Sequence, residues 1–114
     1  MVIRQGEIYW INLPKPKHSE PGFRRPCIVI QNDVFNRSRI KTTIICILTT
    51  NLKLAQAPGN ILLNKGDGNL PKDSVVNISQ ILTVNKTDLL SEEKIGKLSD
   101  KKIESIRVRL QIIF

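Results

Sequence analysis

Residues Ser19 to Asp33 read SEPGFRRPCIVIQND and hold the groups best suited to chemistry. Arg25 stands directly before Pro26, at the head of the apolar run Cys27–Ile30. A residue before proline is pushed toward extended geometry, and proline, lacking an N–H, fits the first position of a strand. A strand starting here anchors Arg25 at the mouth of whatever the preceding loop borders. A planar, permanently charged guanidinium suits phosphate. Glu20 and Ser19 lie a few residues upstream, near enough to share that mouth. Cleaving RNA without a metal requires a base for the 2′-OH proton, an acid for the leaving 5′-oxygen, and donors for the charge growing on the phosphoryl oxygens. The chain offers Arg25, Arg24, Glu20, His18, Ser19, Thr49 and Thr50 for these tasks.

Arg25 suits charge stabilisation, and Glu20 is the more comfortable base. Thr49 ends an apolar run, where its hydroxyl can donate to a phosphoryl oxygen. If the two runs pair as strands, Arg25 and Thr49 converge on one rim. His18 is the only histidine, which excludes a two-histidine ribonuclease arrangement. It reads as an exposed loop residue, with a supporting role left open. Each of these positions also has an ordinary reading: a surface arginine, a solvated loop carboxylate, plain strand threonines. Ser74 and Gln80 read equally well as unremarkable polar strand residues. The residue types permit phosphoryl transfer and do not compel it.

Several elements must position these groups. Strands are expected at Gly6–Leu13, Arg25–Gln31, Thr42–Thr50, Gly59–Asn64 and Asp73–Ile81, from β-branched, apolar or alternating runs bounded by turn residues. The first has apolar side chains on both faces and is expected to be covered on both, with Trp10 most simply a core anchor and base stacking the less favoured alternative. Pro14–Arg24 is a long loop, the kind that often carries function. Asn32–Arg39 is a polar turn, and KGDGN at Lys65–Asn69 is a turn whose glycines can take positive φ. Lys86–Leu90 reads as one helical turn and Ser91–Lys97 as another. Ser99 reads as the N-cap of a terminal helix, with Ile103, Ile106, Leu110 and Ile113 along one stripe. Short strands followed by a helix predict a mainly β domain with helices, a curled antiparallel sheet or small barrel spanning residues 1–114.

Composition narrows the partners. The chain has 114 residues and a formal net charge of +8, which favours a polyanion. Aromatics are only 4%, too few for base stacking to be the main binding mode. Cys27 and Cys46 both fall in apolar runs and are expected as buried, reduced thiols. No Cys/His cluster suggests a metal, and no cofactor is expected. No run approaches the ~20 apolar residues that cross a bilayer. A soluble, cytoplasmic chain is the expectation.

The order of the motifs resembles the MazF/PemK toxins of bacterial toxin–antitoxin systems over nearly the whole length. The resemblance rests on GEIYW, SEPGFRRP, IVIQND with Asn36–Arg37, ILTTN, LPKDSVV, SQI and the late IGKLSD, in that order. It implies an SH3-like small β-barrel with a C-terminal α-helix, acting as a homodimer. It implies a metal-independent, sequence-specific endoribonuclease that cuts single-stranded RNA, chiefly mRNA, leaving 2′,3′-cyclic phosphate and 5′-OH ends. The family's catalytic arginine and threonine fall on Arg25 and Thr49, and its loop glutamate on Glu20. The RNA-binding set expected beside them is Ser19, His18, Arg24, Asn32, Thr50, Ser74 and Gln80. The implied partner is a MazE-like antitoxin whose acidic, disordered tail wraps the same groove. The family's SEQ reads SEP here, and a glycine common before it is His18. RTIDK reads LTVNK, so that Leu82 and Asn85 replace a charge pair. Two other readings are a CcdB-like gyrase poison of the same fold, which cuts nothing, and a non-catalytic basic RNA-binding barrel.

Overall fold

A computed structural model describes residues 2–13, 23–90 and 92–113. Six strands lie among these residues: β1 Glu7–Leu13, β2 Phe23–Val29, β3 Thr42–Thr49, β4 Ile61–Leu63, β5 Ser74–Asn85 and β6 Lys94–Lys97. Three helices, α1 Asp33–Asn36, α2 Lys86–Leu90 and α3 Asp100–Ile113, connect or follow them. The strands form one sheet in the order β4-β5-β3-β2-β1-β6, with every pairing antiparallel. The sheet curls into a half-barrel of the SH3-like kind, as the sequence led us to expect.

The curl buries both faces. One apolar cluster holds Ile8, Ile28, Cys46, Leu48, Leu63 and Val76, with Ile106 of α3 closing it. The other holds Tyr9, Ile11, Cys27, Val29, Ile45 and Ile47, with Leu89 of α2. Successive strand residues point to opposite faces, so near-continuous apolar runs feed both clusters at once. The β3–β5 register jumps from Cys46–Ile81 to Leu48–Val76, so residues 77–80 leave the ladder. Asn60 satisfies the freed backbone: its Oδ1 accepts from the Ile78 N–H at 2.9 Å and its Nδ2 donates to the Leu54 carbonyl at 2.9 Å. That bend lets β5 serve both β3 and β4.

Both edge strands, β4 and β6, are short, which limits edge-to-edge pairing. A 3-10 turn at Asp67–Asn69 follows β4 and packs on β6, where Asn69 Nδ2 donates to the Ile95 carbonyl at 2.9 Å. The expected positive-φ glycines are there, Gly66 at 95° and Gly68 at 53°. Lys94–Lys97 is a strand, not the helical turn its sequence suggested. It pairs with β1 through Glu7–Lys97 and Ile8–Gly96, satisfying a sheet edge that weak local helix propensity cannot outweigh. The N-cap on α3 is as expected, with Ser99 Oγ accepting from the Lys102 N–H at 3.3 Å. Ile106 is buried, and Ile103 and Leu110 pack partly against the first cluster, while Ile113 stays exposed.

Cys27 and Cys46 are free and buried. They point into opposite clusters, so the fold keeps the thiols apart. Burial pushes each thiol up to about 12. Burial also pushes the Tyr9 phenol up, helped by the Glu7 charge and hydrogen bond.

Two outcomes are expected. A Cβ at Gly96 would lie 2.2 Å from the Gly68 carbonyl oxygen, so Gly96→Ala is expected to destabilise by about 1–3 kcal/mol, read from urea midpoints. The buried thiols carry raised pKa values, so the stability of their neutral forms is complete below about 8.5, the value of an unfolded thiol. It is lost as pH climbs toward about 12. Urea midpoints between pH 7 and 11 should fall in the alkaline limb, and more shallowly in a Cys27→Ala/Cys46→Ala variant.

Candidate functional site

The site opens where β2 parts from β3. Their ladder runs from Val29–Ile45 to Cys27–Ile47 and stops there. The next residue on β2 is Pro26, which has no N–H to continue it. Beyond that point Leu48 and Thr49 pair with Val76 and Val75 of β5, while Pro26, Arg25 and Arg24 stay paired with Trp10, Ile11 and Asn12 of β1. The divergence leaves a cleft of about 190 Å³, with Pro26, Leu48 and Leu70 among its walls. Arg24, Arg25, Thr50, Lys72 and Ser74 line it, together with Trp10. Arg25 and Thr49 each lie two residues beyond the last pair of the β2–β3 ladder, Cys27–Ile47, one on each of the parting strands.

The polar groups have defined surroundings. Arg25 and Thr49 are half-buried. Thr49 Oγ1 accepts from the Asn51 N–H at 3.1 Å, which leaves the hydroxyl proton to donate elsewhere. Ser74 is buried, and its Oγ donates to the Lys72 carbonyl at 3.0 Å, bracing the segment that carries Lys72 into the cleft. The Arg24 guanidinium lies 5.0 Å over the Trp10 ring and 3.6 Å from Glu92 Oε2. Asn12 Nδ2 donates to the other oxygen of Glu92.

The cleft therefore gathers Arg24, Arg25, Thr50 and Ser74; Thr49, between Leu48 and Thr50 in sequence, is not among the residues that line it. Asn32 lies past the opposite end of β2, where its Oδ1 accepts from the Val34 N–H at 2.8 Å and caps α1. There it borders a separate apolar cleft of about 390 Å³ with Ile30, Phe35, Ile44, Ile81 and Leu110. The adjacent Asp33 carboxyl, though raised by burial, is held below its ordinary value by the Gln5 N–H, the Asn36 amide, Arg37 and Arg4. Gln80 is half-buried, within the residues of β5 that leave the ladder. His18, Ser19 and Glu20 lie outside the described residues.

Sequence reasoning missed Lys72 and Glu92, and favoured a core role for Trp10 over base stacking. Trp10 is half-buried and belongs to neither core cluster; Tyr9 is the buried aromatic of β1. The signal lay in strand pairing: Trp10 is the diagonal neighbour of Arg24, within reach of a long side chain. Glu92 arrives from a distant segment, and nothing local announces it. Among the described residues no group of three or more His, Cys, Asp or Glu side chains is placed to hold a metal ion. No described helix is long and apolar enough to cross a membrane.

Comparison with known proteins fits this architecture. Residues 4–114 match the family described as PemK-like, MazF-like toxin of type II toxin-antitoxin system. The chain is 51% identical over 89 residues to the endoribonuclease MazF6 of Mycobacterium tuberculosis, covering 78% of each protein. Its fold is similar to the crystal structure of MazF from Deinococcus radiodurans, with a TM-score of 0.78 at 19% identity, covering 99% of this chain and 96% of that one. It is also similar to a mycobacterial endoribonuclease in complex with its cognate antitoxin, with a TM-score of 0.76 at 20% identity, covering 96% and 92%.

Proposed function

The chain belongs to the PemK-like, MazF-like toxins of type II toxin–antitoxin systems and is an endoribonuclease, and from that premise we propose how it cuts. The substrate is single-stranded RNA, chiefly mRNA, cleaved at defined sequences without a metal. The observation carrying this reading is the cleft at the β2–β3 divergence, which Arg25 lines, with Arg25 and Thr49 each two residues beyond the last β2–β3 pair, Cys27–Ile47. A ribose-phosphate chain laid across it meets a fixed guanidinium on one side and a hydroxyl on the other.

The reaction is attack by the 2′-oxygen on the adjacent phosphorus. A base removes the 2′-proton as the new P–O bond forms. The bond to the 5′-oxygen breaks, and that oxygen leaves as a 5′-OH after taking a proton. A 2′,3′-cyclic phosphate remains on the other fragment. Arg25 stabilises the charge that accumulates on the phosphoryl oxygens, where preorganised donors act most strongly. Thr49 donates its hydroxyl proton to one of them, its acceptor side being occupied by the Asn51 N–H. Glu20 is the base we favour on chemical grounds. Arg24, Thr50 and Ser74, with Ser19, His18 and Gln80, contact the strand beyond the scissile phosphate; Asn32, which caps α1 past the opposite end of β2, is left out of that set. A gyrase-poison reading of the same fold has less support, because the 51%-identical relative is an endoribonuclease.

Two partners complete the proposal. The first is a second copy of the chain. Phe35 is 51% exposed at the apolar cleft beyond β2, and Ile112 of α3 is 64% exposed. Exposed apolar surface of this kind marks interfaces. The second partner is an antitoxin with an acidic, disordered tail, which suits a chain of net charge +8.

The decisive assay incubates a mixed single-stranded RNA pool with the protein in excess EDTA and maps the ends. Cuts at a defined motif with 5′-OH ends are expected. Arg25→Ala should lower the rate by at least about a hundredfold while leaving circular dichroism and oligomeric state unchanged. Thr49→Ala should lower it about tenfold or more; full activity there removes Thr49 from the mechanism. Uncut RNA would favour a binding-only barrel. For the dimer, Phe35→Asp is expected to halve the mass seen by light scattering at micromolar concentration, and an unchanged mass moves the interface elsewhere.

A further inference from the structure

Arg24 is held differently from an arginine awaiting phosphate. Phosphate is met by the N–H edges of a guanidinium, which form its hydrogen bonds. Here Nη1 is ion-paired with Glu92 Oε2 at 3.6 Å, which turns part of the charge toward a carboxylate. Asn12, opposite Arg24 in the β1–β2 register, fixes that carboxylate through its Nδ2. The guanidinium carbon lies over the Trp10 ring, 5.0 Å from its centroid. The Arg24 side chain is nonetheless 50% exposed, at the cleft that Arg25 lines. What it offers outward is a flat cationic face, already ordered by its neighbours. Arg25 and Lys72, in the same cleft, are placed to serve phosphates.

We propose that the outer face of Arg24 receives a nucleobase of the bound RNA, completing a Trp10–Arg24–base stack beside the scissile phosphate. This rests on the reading of the cleft as the RNA-cleaving site and assigns that site a base-binding subsite. Single-stranded RNA is read through bases stacked on aromatic rings or guanidinium planes. Arg24 makes the contact; Trp10 and Glu92 are positioning residues. Stacking of this kind accepts any base, so it fixes where the strand lies, and neighbouring polar groups choose its sequence.

The test uses a short strand with 2′-O-methyl riboses throughout, which cannot undergo 2′-OH attack, chosen as the tightest binder in a mixed pool. Abasic sites are scanned along it one at a time. Binding is read by anisotropy of an end label and by fluorescence of Trp10, the only tryptophan in the chain. For the native protein, one abasic position should weaken binding about tenfold. Arg24→Lys keeps the charge and loses the plane; it should bind the intact strand about tenfold weaker and be indifferent to that abasic site. Trp10 emission should be quenched by the intact strand. Glu92→Gln removes a negative charge, which by charge alone would tighten binding; the stack requires it to weaken binding severalfold, with the loss in cleavage falling on KM rather than kcat. An Arg24→Lys protein that binds like the native one, an abasic penalty surviving in it, or tighter binding by Glu92→Gln overturns the stack. Because binding is read on an uncleavable strand, failure of the native protein to cut RNA counts against the nuclease mechanism and leaves the stack to be decided by these measurements.

Discussion

The register of β2 against β3 is the constraint on which the rest depends. Ile28 is buried in one apolar cluster while Cys27 and Val29 are buried in the other. Cys46, Ile45 and Ile47 of β3 divide in the same way. A slip of one residue would send each side chain to the wrong face. Burying one such side chain contributes about 1.5–3 kcal/mol, against a net stability of ~5–15 kcal/mol for a typical domain. The slipped pairing therefore has no population. Arg25 and Thr49 inherit their positions from that arrangement, because they are the polar continuations of strands fixed by their apolar middles. Pro26 then ends the ladder where an opening is needed.

The sequence made that arrangement readable because it is written in strong signals. The X-Pro bond, the β-branched run Thr42–Thr49 and the polar strand ends are local features with one reading each. The bend in β5 was harder. Asn77, Ser79 and Gln80 alternate with apolar residues as an ordinary strand would, and only the distant Asn60 shows that residues 77–80 leave the ladder. Lys94–Lys97 became a strand because β1 had an unpaired edge and Gly96 could approach the Gly68 carbonyl, neither of which is a local property. Trp10 was assigned to the core on size alone. Its place was decided by a cross-strand arginine and by a carboxylate from the far end of the chain.

Charge is distributed to the same end. The carboxylates largely hold the chain's own structure. Glu7, 5% exposed, accepts from the Arg4 N–H at 2.6 Å, the Tyr9 hydroxyl at 3.1 Å and Lys94 Nζ at 2.7 Å. Asp33 accepts from the Gln5 N–H at 2.6 Å, and Asp73 from the Lys65 N–H at 2.7 Å. Of these, Glu7 is withdrawn from the surface, while Asp73 stays exposed, as do Arg37, Arg39 and Lys41. The excess of +8 thus becomes an outward field that draws a polyanion toward the molecule.

Such a field attracts RNA without choosing where along the strand the cut falls. A chain with only 4% aromatics cannot line a groove with rings to fix the register of its substrate. An ordered arginine on a single tryptophan extends the reach of that ring, since the guanidinium plane offers a second stacking surface above it. The placement also explains why two adjacent arginines need not duplicate each other. Successive strand residues face opposite ways, so Arg24 shares a face with Trp10 and Pro26 while Arg25 alternates with them. In the proposed site one serves the base and the other the phosphate, and the strand that carries both fixes the distance between them.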